Sequence, residues 1–197
     1  MNKEPNKGKL FIISGPSGVG KGTIVEEVAK RPSNNLYWAK SYTTRPERDS
    51  DKSEGHYIFI DEKKFKQLEK EREILESNFF NGNWYGSSKS EIDQGISSGK
   101  NVLKEIEVNG AMNLKKLLPG AILIFIKSDL KDIENRLIHR GQNTDIEIEE
   151  RLNTCKKELT FEKEYDYAVI NPEGHPEKAI EEVEKIIRQP NGSPKMH

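Results

Sequence analysis

The sequence predicts an α/β domain in which a parallel sheet is flanked by helices, carries an inserted mixed α+β lobe, and is closed by a short helical lid. Short apolar runs alternate with segments of helical spacing, the first run ends in a glycine-rich loop, and one middle stretch breaks the alternation with hairpin signals. Strand and helix in alternation select a parallel sheet, because parallel neighbours need the crossover that an intervening helix supplies.

Leu10, Phe11, Ile12 and Ile13 form the first strand, and Ile24, Val25, Val28 and Ala29 recur at helical spacing after Lys21. Residues 101–107 and 121–127 read as further strands, followed by helices over 110–118 and 130–140. A last strand at 167–170 leads to a closing helix over 176–188, where Pro176 opens a run with Ala179, Ile180, Val183, Ile186 and Ile187 on one face. In the middle, 57–60 and 74–80 read as strands, and Asn81-Gly82 before Trp84-Tyr85 reads as a hairpin turn. The expected layout is one domain over 1–190, with a core over about 8–36 and 92–190 and an inserted lobe over about 37–91. A lid over about 139–155 surrounds the Gly141-Gln142-Asn143-Thr144 break, and 191–197 form a flexible tail.

Composition narrows the class of function. The 32 basic and 33 acidic residues are interspersed, for a formal charge of -1, so no basic face is expected for nucleic acid or an anionic membrane. No apolar run approaches the roughly 20 residues of a membrane span, and the polar start does not resemble a signal peptide, so a cytoplasmic protein is expected. Cys155 is the one cysteine and is read as a small helix residue. His56, His139, His175 and His197 have no ligand spacing and are expected on the surface.

Gly15-Pro16-Ser17-Gly18-Val19-Gly20-Lys21 matches the phosphate-loop pattern G-x-x-x-x-G-K between a strand and a helix, the setting its mechanism requires. Glycines let successive N–H groups face a polyphosphate, the lysine reaches its outer phosphates, and the helix adds its positive dipole end. The fold is therefore of the P-loop NTPase type, with Gly15, Ser17, Gly18, Val19, Gly20, Lys21, Gly22 and Thr23 as candidate ATP contacts. Gly22 stands where a Ser or Thr hydroxyl usually holds Mg²⁺, and Thr23 follows one place later. Two arrangements stay open, a metal held through water or one held by Thr23.

The run from Ser41 to Arg48, then Gly55-His56-Tyr57, Glu76, and Gly82-Asn83-Trp84-Tyr85-Gly86-Ser87 resembles guanylate kinases in order and spacing, and the likeness extends over about 10–188. The resemblance implies transfer of the γ-phosphoryl group of Mg-ATP to GMP, and to dGMP, in purine nucleotide metabolism. It implies Arg45, Arg48, Tyr57 and Tyr85 around the GMP phosphate, and Ser41, Glu76, Ser87, Glu105 and Glu107 near the base or its phosphate-facing side. Forked arginine donors suit a phosphate, and one carboxylate accepts both the N1–H and the amino group of guanine but not the bare N1 of adenine. Glu105 and Glu107, two apart on the expected strand, point to one face near its carboxyl end, and Lys104 stands where an aliphatic residue is usual. Arg136, Arg140 and Arg151 match the family's arginines that reach the ATP phosphates and form the expected catalytic set with Lys21, while Asn171 matches a position near adenine. Partners are thus ATP and GMP, as a monomer or a homodimer. Two rivals share parts of the pattern: a kinase for another small acceptor, and an interaction module of this family without turnover.

Overall fold

The computed structural model describes residues 8–49, 51, 55–80, 82–139 and 144–189. Its elements run β1 (Leu10–Ser14), α1 (Lys21–Lys30), β2 (Leu36–Trp38), β3 (Ser41–Thr43), β4 (Tyr57–Phe59), α2 (Glu62–Lys70), β5 (Ile74–Phe80), β6 (Asn83–Ser88) and α3 (Lys89–Ser97). They continue through β7 (Asn101–Glu105), α4 (Val108–Leu117), β8 (Ile122–Lys127), α5 (Leu130–His139), α6 (Asp145–Leu159), β9 (Tyr167–Ile170) and α7 (Pro176–Arg188).

The larger sheet has the order β2-β7-β1-β8-β9, with every pairing parallel. Helices cover both of its faces, so its strands need apolar side chains at consecutive positions rather than at alternate ones. On β1, Phe11 and Ile13 enter a cluster with Val25 and Val28 of α1 and Val183 of α7. Leu10 and Ile12 enter the opposite cluster with Val108, Ala111 and Leu114 of α4. Ile124 and Ile126 of β8 join the first cluster, and Leu123 and Phe125 join the second. This double burial explains why both runs carry no polar alternation in the sequence.

The inserted lobe is a mixed sheet in the order β4-β3-β6-β5, with α2 beside it. Asp61 caps α2, accepting the Lys64 N–H at 2.7 Å. Tyr37 and Trp38, expected in the lobe, lie instead in β2, which pairs with β7, so the smaller sheet starts at Ser41. A second correction concerns the strand expected over 101–107. It stops at Glu105, Glu107 is the N-cap of α4, and that helix starts at Val108 rather than at 110. Thr144 opens α6 with a capping box to Glu147. Arg140, Gly141, Gln142 and Asn143 lie outside the described residues, as do Asn81 and the expected tail over 191–197.

Ile124 is fully buried on β8 between β1 and β9. Ile124→Ala is expected to cost about 2–5 kcal/mol, read as a lower urea midpoint with an unchanged slope. A loss below about 1 kcal/mol contradicts the described packing.

Candidate active site

β1 runs directly into the phosphate loop, whose path puts Gly15, Gly18 and Gly20 at positive φ angles that favour glycine. Gly15 has φ 145°, and a Cβ there would stand 2.1 Å from the Ile126 carbonyl oxygen of β8. Gly20 has φ 89°, and its Cβ would stand 2.6 Å from Asn171 Nδ2. The loop is thus pressed against the ends of its neighbouring strands, and it delivers Lys21 to the first turn of α1. Lys21 is only 7% exposed. Its Nζ donates to the Gly15 and Pro16 carbonyls at 2.7 and 3.0 Å and stands 3.8 Å from Glu107 Oε2. Burial raises the pKa of Glu158, on α6, as does Glu107, while Lys21 opposes them. Nothing in the spacing of α6 revealed Glu158.

A cavity of about 270 Å³ opens between the core and the lobe, lined by Ser41, Tyr57, Glu76, Tyr85, Glu105 and Glu107. Glu76 owes its aim to a register shift between Ile74 and Ser77, where β5 carries one extra residue against β6. Its Oε1 accepts from the Ser87 hydroxyl at 2.7 Å and the Ser87 N–H at 3.1 Å. Burial raises the Glu76 pKa, against the opposing pull of the Ser87 hydroxyl and of Lys104. A Cβ on Gly110 would lie 2.8 Å from Glu76 Oε2, so this glycine leaves the second oxygen its space.

Arg45 is buried, with its guanidinium 4.9 Å from the Tyr57 ring centroid. Tyr57 and Tyr85 meet edge to face at 6.1 Å. Burial, with Glu105 close by, pushes the Tyr57 phenol up to about 12, so it remains a neutral donor. The Arg45 fork grips Asp51 through two bonds of 2.6 Å, and this holds the Asp51 carboxyl down at about 2. Arg48 is exposed, and its backbone N–H joins the same carboxylate at 2.7 Å.

Glu105 and Glu107 thus belong to different elements, yet both line the first cavity. Glu105 ends β7, and its Oε2 lies 3.8 Å from where a Cβ on Gly22 would stand. Burial raises its pKa, with Lys21 opposing. Glu107 is exposed at the mouth of the cleft beside Lys21. Two wall residues were not read as functional. His56, expected on the surface, stacks on Trp38 with ring centroids 3.4 Å apart, and both line the cavity. Lys104 is fully buried, and its Nζ bonds the Ala39 and Lys40 carbonyls and Ser41 Oγ. Burial pulls Lys104 down to about 8, opposed by Glu76, Glu105 and Glu91. A lone lysine in an apolar strand was the available signal.

A second cavity, of about 420 Å³, lies on the other flank of the loop and is lined by Gly20, Thr23, Arg136, His139, Asn171 and Pro172. Asn171 Nδ2 donates to the Val19 carbonyl at 2.7 Å, while its buried Oδ1 has no partner among the described residues. Arg136 donates to the Val19 and Asn171 carbonyls, each at 3.1 Å, and to Glu173 at 2.7 Å. Arg151, on α6, lines neither cavity, and its charge acts on Glu147.

The sequence profile of the family described as guanylate kinase matches residues 7–190. Proteins named guanylate kinase are similar over most of their length. One from Listeria monocytogenes serotype 4b is 39% identical over 166 residues, covering 84% of this chain and 81% of that protein. One from Lactobacillus johnsonii is 37% identical over 167 residues, covering 84% and 82%. A crystal structure of guanylate kinase from Anaplasma phagocytophilum superposes with a TM-score of 0.72 at 24% identity, covering 93% of this chain and 86% of that one, a likeness of fold.

The Asp51 carboxyl lies below its ordinary value of 3.8, so the Arg45 pair stabilises the fold above that pH and loses its effect as pH falls through about 2. Asp51→Asn is therefore expected to lower Tm at pH 7, with the gap to wild type closing below pH 4 on the way to about 2. A gap independent of pH in thermal melts contradicts this.

Proposed function

The chain belongs to the guanylate kinase family, and on that premise we propose that it transfers the γ-phosphoryl group of Mg-ATP to GMP, and to dGMP, giving ADP and the nucleoside diphosphate. The observation that carries this reading is the Glu76 carboxylate, held by Ser87 on the wall of the first cavity with its second oxygen in the space beside Gly110. Guanine offers N1–H and its amino group to such an acceptor, whereas adenine presents a bare N1 and leaves the carboxylate unsatisfied. An unpaired buried polar group costs about 1–3 kcal/mol, more when charged, enough to separate the two bases.

The acceptor phosphate fits the other end of the cavity, where Tyr57 and Tyr85 supply hydroxyl donors. Arg45 supplies N–H groups not committed to Asp51, and Arg48 reaches in from its exposed loop. ATP fits the opposite flank. Its outer phosphates meet the loop N–H groups, the N-terminus of α1 and Lys21, and its adenine fits the second cavity beside Asn171. Arg136 lines the same cavity, and Arg140 and Arg151 complete the set of cations that we assign to the ATP phosphates.

The residues present suit Mg²⁺, a hard ion that keeps several waters and takes one or two carboxylates together with substrate phosphates. Glu105 stands beside the unobstructed Cα of Gly22, where a longer residue 22 would otherwise reach, and Thr23 adds a hydroxyl on the ATP side. When bound, the ion neutralises and orients the phosphates. A GMP phosphate oxygen attacks the γ-phosphorus in line as the bond to the ADP oxygen breaks, with Lys21 and the arginines stabilising the spread charge and no strong base needed. Among the described residues, no helix is long and apolar enough to cross a membrane.

A coupled assay of ADP release with Mg-ATP tests this directly. GMP and dGMP are expected to support turnover, AMP and UMP are not, and Lys21→Ala is expected to lower kcat by about 100-fold or more. GMP binding without ADP release contradicts the proposal. Because burial raises the Glu76 carboxyl above 4.5, GMP affinity is expected to weaken on acidification before that pH is reached. Glu76→Gln is expected to raise the KM for GMP about tenfold and to leave only the pH dependence that the GMP phosphate itself brings. An unchanged KM removes Glu76 from the base site.

A further inference from the structure

We propose that Asn78 is a specificity-determining residue that reads the 2′-hydroxyl of the acceptor's ribose, so that the cleft favours GMP over dGMP while turning over both. The inference rests on the GMP reading above and concerns a side chain which that reading does not use.

Beyond its register shift β5 pairs regularly with β6, with Ser77 opposite Gly86, Asn78 opposite Tyr85, Phe79 opposite Trp84 and Phe80 opposite Asn83. Directly opposed residues of an antiparallel pair share a face, and the face changes at each step. One face is turned from the cleft: the Ser77 hydroxyl donates to Glu69 of α2, and the Phe79 ring lies 4.9 Å from that of Trp84. The other face carries Asn78, Tyr85 and Phe80, and all three line the first cavity with Glu76.

Position along this wall fixes what Asn78 can meet. Glu76, two residues back, is the base acceptor of the proposed reading and is held by Ser87. Tyr85, across the ladder from Asn78, belongs with Tyr57 and Arg45 to the groups assigned to the acceptor phosphate. Two residues of strand span roughly 7 Å, so Asn78 stands between the group assigned to guanine and those assigned to phosphate. In a nucleotide the sugar joins those two parts, and its hydroxyls are what a side chain at this place meets.

The chemistry of the side chain agrees. A carboxamide has donors and an acceptor, as a hydroxyl does, and carries no charge to draw it to the phosphate. Asn is disfavoured in strands, and among the described residues no hydrogen bond engages the Asn78 amide, so packing does not account for it. Asn78 is exposed on the cavity wall, which leaves its amide able to turn toward the sugar. The 2′-hydroxyl is donor and acceptor together and is the group that separates ribonucleotides from deoxyribonucleotides. dGMP has hydrogen there and leaves the amide to water, so the preference is one of degree.

Equilibrium binding of GMP and of dGMP without ATP tests this, alongside kcat/KM for both. Wild type is expected to favour GMP by about fivefold, the factor that one hydrogen bond of about 1 kcal/mol supplies. In Asn78→Ala the ratio is expected to fall to about 1.5 or less because GMP weakens, with dGMP affinity and the KM for ATP within about twofold of wild type. A residue that only supported the strand would weaken both nucleotides alike. Asn78→Val, which suits a strand better, is expected to give the same ratio and serves if the alanine variant folds poorly. A wild type that binds both nucleotides equally overturns the proposal, as does a folded variant that keeps the fivefold ratio or loses both in parallel. Wild type that binds GMP without releasing ADP overturns the kinase reading alone, since the binding ratios still decide Asn78. A chain that binds neither nucleotide overturns the GMP reading and this inference with it.

Discussion

The parallel pairing of β1 with β7 and β8 is the constraint on which the site depends. Because both faces of this sheet are buried, the strands are locked in register, and their carboxyl ends emerge together. The phosphate loop follows β1, Glu105 ends β7, and Asn171 follows β9. The loop could not take its path without this neighbourhood, since Gly15 lies against the Ile126 carbonyl and Val19 offers its own carbonyl to Asn171 and Arg136. The same packing that closes the core thus shapes the loop outside the carboxyl ends of the strands, where α/β sheets bind ligands.

The inserted lobe works by a different principle. Its short strands gain little from burial, and its geometry is held by polar contacts: the Arg45 fork on Asp51, Ser87 on Glu76, and the Asp61 cap of α2. Such contacts fix the orientation of donors and acceptors at modest net stability. The Arg45 pair also fixes one guanidinium in place, so little further ordering of that side chain is needed.

Legibility in the sequence followed the physics of each part. β9 and α7 were read with their bounds because a buried parallel strand and an amphipathic helix leave strong periodic signals. The phosphate loop was legible because its backbone demands glycines at fixed spacing. By contrast, the end of β7 was misread by two residues: Ile106 continues an apolar pattern through the turn, and only the start of α4 reveals that Glu107 caps a helix. The extra residue in β5 that aims Glu76 leaves no pattern, since a one-residue slip is visible only in pairing. Glu158 and His56 reach their positions by tertiary contact alone.

The central claim is that one loop, with Lys21 folded against it, joins a purine-reading cavity on one flank to a nucleotide cavity on the other. Phosphorus NMR of the chain mixed with Mg-ATP and GMP tests it most directly, because it follows the transferred atom. The account predicts that the γ-phosphate signal of ATP is replaced by the β-phosphate signal of GDP, with ADP appearing in equal amount. Inorganic phosphate in its place, or ATP left intact beside bound GMP, would contradict it.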